Sequence, residues 1–167
     1  MLLETRRLLL RPLALADEDD LFVYQSDPET VRYIPWPVRT REQVRAALEK
    51  FAGRTQMSES GDTLLLAIVE RTSGTVIGQT NLTIASLEDR QGSFGYVVGR
   101  AFTGRGFASE AAACVLEYAF ETLDLHRVTA QIDTRNPASA AVAAKLGMRR
   151  ELPPSSASPA EVVAQPA

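Results

Sequence analysis

The sequence predicts a single α/β domain built on a mixed sheet with helices on both faces. Three observations carry this prediction. Residues 63–70, 75–85 and 92–99 (TLLLAIVE, TVIGQTNLTIA, GSFGYVVG) are short runs rich in branched and aromatic residues, parted by turn residues, as in a strand meander. From residue 105 onward the pattern becomes helix, strand, helix, the alternation that places helices over a sheet. The chain is 167 residues long, 45% hydrophobic and 23% charged, enough for one domain with its own core.

Each element has a local cause. Residues 6–13 (RRLLLRPL) read as a first strand ended by Pro12. Asp17 is placed to cap a helix to about Tyr24, with Glu18, Asp19 and Asp20 at its positive end. Ser26 or Asp27 restarts a short helix, with Pro28 near its first position, and Pro35-Trp36-Pro37 forces an irregular loop. Thr40 and Gln43 have capping-box spacing before Val44, Ala47, Leu48 and Phe51, which recur every three to four residues. Gly78 suggests a bulge in the second strand of the meander. Arg105 to about Leu123 reads as a helix, 127–133 (RVTAQID) as an alternating strand, and Pro137–Leu146 as a helix capped by Asn136 and stopped by Gly147. Residues 1–152 form the expected domain. Residues 153–167, rich in Pro, Ser and Ala, form a tail expected to be poorly ordered.

Composition removes several functions. Cys114 and His126 are the only cysteine and histidine, so neither a disulfide nor a zinc cluster is expected, and no metal is called for. A net charge of −3 with no basic stripe argues against a nucleic-acid partner. No apolar stretch approaches the roughly 20 residues of a membrane span, and Arg6, Arg7 and Arg11 break up the N-terminal leucines, so a cytoplasmic protein with no membrane partner is expected.

The sharpest local feature is VVGRAFTGRGFASEAA, residues 97–112. A strand ends near Gly99, Gly104 and Gly106 permit positive φ, and a helix begins at once, with its free N–H groups facing the turn. Such a turn suits a phosphate or pyrophosphate, with Arg105 adding charge and Ser109 a hydroxyl. The bland reading is a tight strand–helix turn. A P-loop is excluded because no Gly-Lys-Ser/Thr follows, and a dinucleotide turn is disfavoured because Ser109 stands where a third glycine is wanted. A second feature, DTRNPASAAVAAKLGM (133–148), sets Asn136 and Ser139 three apart at a helix entrance. Asn136 there is an N-cap that can also face a ligand.

Taken with LETRRLLLRPLALADEDDL (3–21) and YIPWP (33–37), these segments resemble the GNAT acetyltransferases, in particular their ribosomal-protein N-acetyltransferase (RimJ/RimL-like) branch, over roughly residues 3–151. The resemblance implies a mostly antiparallel sheet splayed in the middle, with acetyl-CoA as co-substrate between the strands at 92–99 and 127–133. It implies that Gly104, Arg105, Gly106, Phe107, Ala108 and Ser109 meet the pyrophosphate. Val97 and Val98 hold the pantetheine arm, Val98 also providing the backbone contact to the developing oxyanion, and Asn136 and Ser139 face the thiol end. Ser139 is the candidate general acid. The partner is an amine, either a protein N-terminus or a small molecule, with Tyr33, Trp36 and Tyr96 as candidate acceptor contacts and Tyr24 beside them. The alternative is a catalytically weak acyl-CoA-binding or interaction domain.

This sequence departs from the family pattern at Ser93, where relatives often carry a carboxylate, and at Ala101, Ala143 and Ala144. The general base is therefore unassigned among Glu29, Tyr33 and Tyr96. The C-terminus departs most: the usual last two strands look missing, and 161–164 looks too short for a hairpin. The open edge of the 127–133 strand is expected to be covered by the tail or by a second copy of the chain in a homodimer.

Overall fold

In the computed structural model, residues 1–151 and 159–166 are described. The strands are β1 (Leu3–Glu4), β2 (Leu8–Pro12), β3 (Thr63–Glu70), β4 (Val76–Ser86), β5 (Gln91–Val98), β6 (Arg127–Ile132), β7 (Arg149–Glu151) and β8 (Ala160–Ala164). The helices are α1 (Glu18–Gln25), α2 (Pro28–Val31), α3 (Arg41–Phe51), α4 (Phe107–Glu117) and α5 (Pro137–Lys145). All strands join one sheet in the order β1-β2-β3-β4-β5-β6-β8-β7, antiparallel throughout except for β5 against β6. Each face has its own core. Phe94, Val98, Leu66 and Ile68 pack under Phe107, Ala111 and Val115 of α4 and Ala143 of α5. Val97, Val76 and Ala67 pack under Leu21 and Tyr24 of α1 and Val44 and Leu48 of α3.

The expected capping chemistry holds at three helices. Thr40 and Gln43 cap α3 reciprocally, Asp27 Oδ1 accepts from Glu29 N–H at 3.3 Å, and Asn136 Oδ1 accepts from Ser139 N–H at 3.2 Å. Asp17 is different: its carboxylate turns back to Ala14 N–H at 2.8 Å and to the Arg11 guanidinium at 2.7 and 2.8 Å, leaving α1 without a side-chain cap. The bulge falls at Ile77, next to Gly78, where the β3–β4 register slips between Ile68 and Val69. The helix after the glycine turn starts at Phe107 rather than Arg105, because Gly106, at φ +80°, stands outside it as the N-cap.

The C-terminal expectation is corrected. The stretch expected to lack a hairpin holds β8, which pairs with β6 along Val128–Ile132 and also carries β7 on its far side. Four-residue strand character was misjudged because Ala160, Val162, Val163 and Ala164 are all buried, some on each face. Arg127 pins the corner, binding Glu151 at 2.7 and 2.9 Å and Glu161 at 3.4 Å, so the facing glutamates of β7 and β8 share one cation. The tail thus covers the β6 edge itself, and the case for a second chain at that edge falls away. Residues 152–158 and 167, which include most of the front of the tail expected to be poorly ordered (153–167), lie outside the described residues.

Deleting residues 159–167 would uncover the β6 edge and lose two buried valines. At about 1.5 kcal/mol or more for each, the loss is roughly 3 kcal/mol. For a domain of this size that is a fall of roughly 6–12 °C in Tm. Thermal unfolding of the truncated chain checks this, and an unchanged Tm would show that β8 adds nothing.

Candidate functional site

The site is made by a strand pair that stops pairing. β5 and β6 run parallel only from Gln91–Ser93 against Arg127–Thr129, although β5 continues to Val98 and β6 to Ile132. Gly99 N–H donates to Ile77 carbonyl at 2.8 Å, and the β4–β5 register is unbroken from Ser93 to Val98. Because backbone direction alternates along a strand, Ser93, Gly95 and Val97 direct their N–H and C=O groups to β4. Phe94, Tyr96 and Val98 direct theirs away from it, toward β6. His126 N–H donates to Arg90 carbonyl at 2.8 Å, which gives β6 the matching parity. Beyond Ser93, Tyr96 and Val98 therefore carry their backbone groups into a gap with no strand opposite.

That gap is the mouth of a cleft of about 440 Å³. Of the residues expected in the site, Tyr33, Trp36, Tyr96, Val97, Asn136 and Ser139 line it. The Val98 side chain is buried in the α4 core instead, so only its backbone faces the gap. Trp36 both lines the cleft and packs on the core beneath α1 and α3, while Tyr24 is buried in that core and does not line the cleft. Glu29 is exposed, pairs with Arg32 at 3.8 Å and lies away from the cleft wall. Ser93 and Ala143, two of the positions that depart from the pattern the resemblance implies, do line the wall, so the cleft meets a hydroxyl and a methyl there.

A polar chain crosses the gap from β5 to α5. Ser139 Oγ accepts from Asn136 Nδ2 at 2.9 Å and lies 3.4 Å from the Tyr96 hydroxyl, at the long end for such a bond. Burial pushes the Tyr96 phenol up, so it stays protonated. Ser139 therefore accepts on both sides, and its own proton is left for something in the cleft.

Sequence reasoning missed the opposite wall. Gln79 and Asn81 of β4 and Thr129, Gln131 and Asp133 at β6 line it. Their signal was present as polar residues at every second position of QTNLT and TAQID. Asp133 is the single charged residue lining the cleft among the described residues. Two hydrogen bonds from the Arg135 guanidinium, at 2.6 and 2.9 Å, and one from Arg135 N–H pull it down to about 2.

The chain leaves β5 at Val98, makes a 3-10 turn over Arg100–Phe102 and reaches the glycine turn, with Gly104 at φ +74°. Among the described residues, no backbone N–H from Gly104 to Ser109 has a protein acceptor. Six orphan donors at the positive end of α4 fit an anionic diphosphate. The turn is braced from the far edge of the sheet. Arg7 donates to Arg105 carbonyl at 2.8 Å and to Glu110 at 2.7 Å, and stacks 4.4 Å over the Phe107 ring. Burial alone would raise the Glu110 carboxyl, but hydrogen bonds from Thr5 and Arg7 outweigh it and hold it below its usual range. A carboxylate one turn from an anion site is thereby neutralised.

Arg7→Ala should release both Arg105 and Glu110. We expect acetyl-CoA affinity to fall about tenfold, or about 1.4 kcal/mol, read by titration calorimetry. Unchanged affinity would mean that the brace is not needed for binding.

Known proteins agree with this geometry. The Acetyltransferase (GNAT) domain family matches residues 7–149. The chain is 31% identical over 150 residues to the uncharacterized N-acetyltransferase p20 of Bacillus licheniformis, covering 89% of this chain and 83% of that protein. A GNAT-family acetyltransferase structure from Bacillus anthracis superposes with a TM-score of 0.81 at 27% identity, covering 98% of this chain and 96% of the other. The spermidine N-acetyltransferase of Vibrio cholerae, solved with CoA and spermine, shares the fold at a TM-score of 0.78 and 16% identity, covering 96% of each chain. The chain with the splayed β5–β6 pair and the braced glycine turn belongs to the GNAT acetyltransferase family and is an acyl-CoA-dependent N-acyltransferase.

Proposed function

We propose that the chain moves an acetyl, or another short acyl group, from acyl-CoA to a primary amine by direct attack in the β5–β6 cleft. The observation that carries this reading is the gap itself, with unpaired backbone groups of Tyr96 and Val98 on one side, and the orphan N–H groups of Gly104–Ser109 following in the chain after β5 ends. The turn holds the diphosphate, Val97 and Val98 line the pantetheine arm, and the Val98 N–H meets the thioester oxygen as it becomes negative.

The amine nitrogen bonds to the carbonyl carbon as the carbon–sulfur bond breaks. Ser139, held by Asn136 and Tyr96, gives its hydroxyl proton to the departing thiolate and regains one from solvent. The proton lost by the amine goes to water, because Asp133 is bound to Arg135 and Ser93 stands where relatives carry a base. The acceptor enters beside Tyr33 and Trp36. The resemblance to the ribosomal-protein branch favours a protein N-terminus as acceptor.

The deciding experiment is thiol release from acetyl-CoA across a panel of amines and N-terminal peptides. Gly106→Glu, which places a carboxylate at the diphosphate position, is expected to abolish release. Tight acetyl-CoA binding without release for any amine would sink the transferase reading.

Ser139→Ala should lower kcat about 100–10,000-fold while leaving the KM for acetyl-CoA nearly unchanged. With no free carboxylate or histidine lining the cleft among the described residues, kcat/KM should rise with pH as the acceptor loses its own proton. The midpoint should move with the acceptor, from about 8 for an α-amine toward about 10 for a lysine-like amine. A midpoint fixed at one pH for both acceptors would reveal a base on the protein.

A further inference from the structure

Gln25 is a fully buried polar residue on α1 that the transfer chemistry does not use. Its partners explain it. The Arg39 guanidinium, which can only donate, reaches the Gln25 Oε1 at 3.0 Å. That fixes the amide, so Gln25 Nε2 points the other way and donates to Gln79 Oε1 at 2.7 Å. Tyr24, whose phenol burial pushes far above its ordinary range and keeps protonated, donates to the same oxygen at 2.8 Å. Gln79 Oε1 is thus saturated by two donors, and the Gln79 amide cannot flip without facing Gln25 Nε2 with its own N–H groups. Its Nε2, without a partner among the described residues, belongs to a side chain that lines the cleft. Arg39 itself is locked by stacking 4.2 Å from the Trp36 ring and by its N–H on Gln25 carbonyl at 3.0 Å.

We infer that Gln79 is a specificity-determining residue, held by this relay as an obligate donor, which selects amine acceptors carrying a carbonyl or carboxylate oxygen next to the amine. The inference rests on the transferase reading above. Three further observations agree with it. Val97, the β5 partner of Gln79, lines the same wall, so the donor stands beside the strand that presents the acyl group. Among the described residues the cleft offers no free carboxylate to a polycation, because Asp133 is already matched by Arg135. A cleft without a base also favours an amine that is neutral unaided. At pH 7.5 roughly a third of α-amines are neutral, against about one in a thousand lysine-like amines, and the neighbouring carbonyl is what lowers the α-amine value.

The test compares kcat/KM for glycinamide, glycine, a tripeptide N-terminus and spermidine, in wild type, Gln79→Glu and Gln79→Met. Wild type should prefer the carbonyl-bearing acceptors to spermidine. Gln79→Glu, which keeps an oxygen for Gln25 and Tyr24 but turns the cleft atom into an acceptor, should lose roughly 10–100-fold on those acceptors and gain on spermidine. Gln79→Met should show the loss without the gain. Acetyl-CoA affinity should stay the same in both. Glycine against glycinamide tells whether a carboxylate or a neutral carbonyl is read. A wild-type preference for spermidine, or variants that leave the acceptor ratio unchanged while transfer continues, would overturn the inference and leave the transferase reading standing. No transfer to any acceptor, with acetyl-CoA still bound, would overturn both.

Discussion

The parallel contact between β5 and β6 is three residue pairs long, and the cleft exists because it goes no further. A sheet normally leaves unpaired backbone groups only at its edges, where they invite another strand. Here the interruption lies in the middle of the sheet, between strands that are well paired on their other sides, β5 with β4 and β6 with β8. Those outer pairings make the gap durable. β5 cannot swing over to close it without breaking a register that runs from Gly78 to Ser86, and β6 is held by the five-residue ladder to β8. The short C-terminal strand therefore matters to the site as well as to the edge it covers.

The glycine turn needs a similar support. Left-handed glycines and orphan N–H groups make a turn that can meet an anion, but they also make it loose. Arg7 fastens it by gripping Arg105 carbonyl and Glu110 together, from a position just before β2. The arrangement links the chain beside an outer strand to the start of the helix that packs across the sheet's face. One guanidinium sets the loop geometry and neutralises Glu110, whose unbalanced charge would oppose the same ligand.

Much of this could be read from the residues. The meander, the Thr40–Gln43 cap, the Asn136 cap and the turn at Gly104–Gly106 all depend on local chemistry, and each lies where its sequence placed it. The rest depends on partners that lie outside the element itself. Asp17 looked like a helix cap because nothing nearby reveals that Arg11 and Ala14 will claim its carboxylate. The segment 161–164 reads as too short for a hairpin because its pairing comes from slots made by β6 and β7. Gln79 and Gln131 carry no local mark of a site, and only the splay, which no local pattern encodes, turns their side of the sheet into a wall.

On the proposed function, the period of two along β5 and its neighbours also separates the two halves of the reaction. Tyr96 faces α5, and with Asn136 and Ser139 it forms the wall that handles the departing thiol. The adjacent residue, Val97, and its partner Gln79 face α1, where Trp36, Gln25 and Arg39 organise the acceptor. Proton donation to sulfur and hydrogen bonding to the acceptor thus come from opposite faces of one strand, with the thioester between them at the edge. A one-residue slip of β5 would exchange the two walls and put Ser139 beside a valine. The Ile77 bulge stands at the point where such a slip would begin, and the Gly99 N–H bond to Ile77 carbonyl holds the register there. Keeping the two chemistries apart is therefore a matter of strand register as much as of side-chain identity.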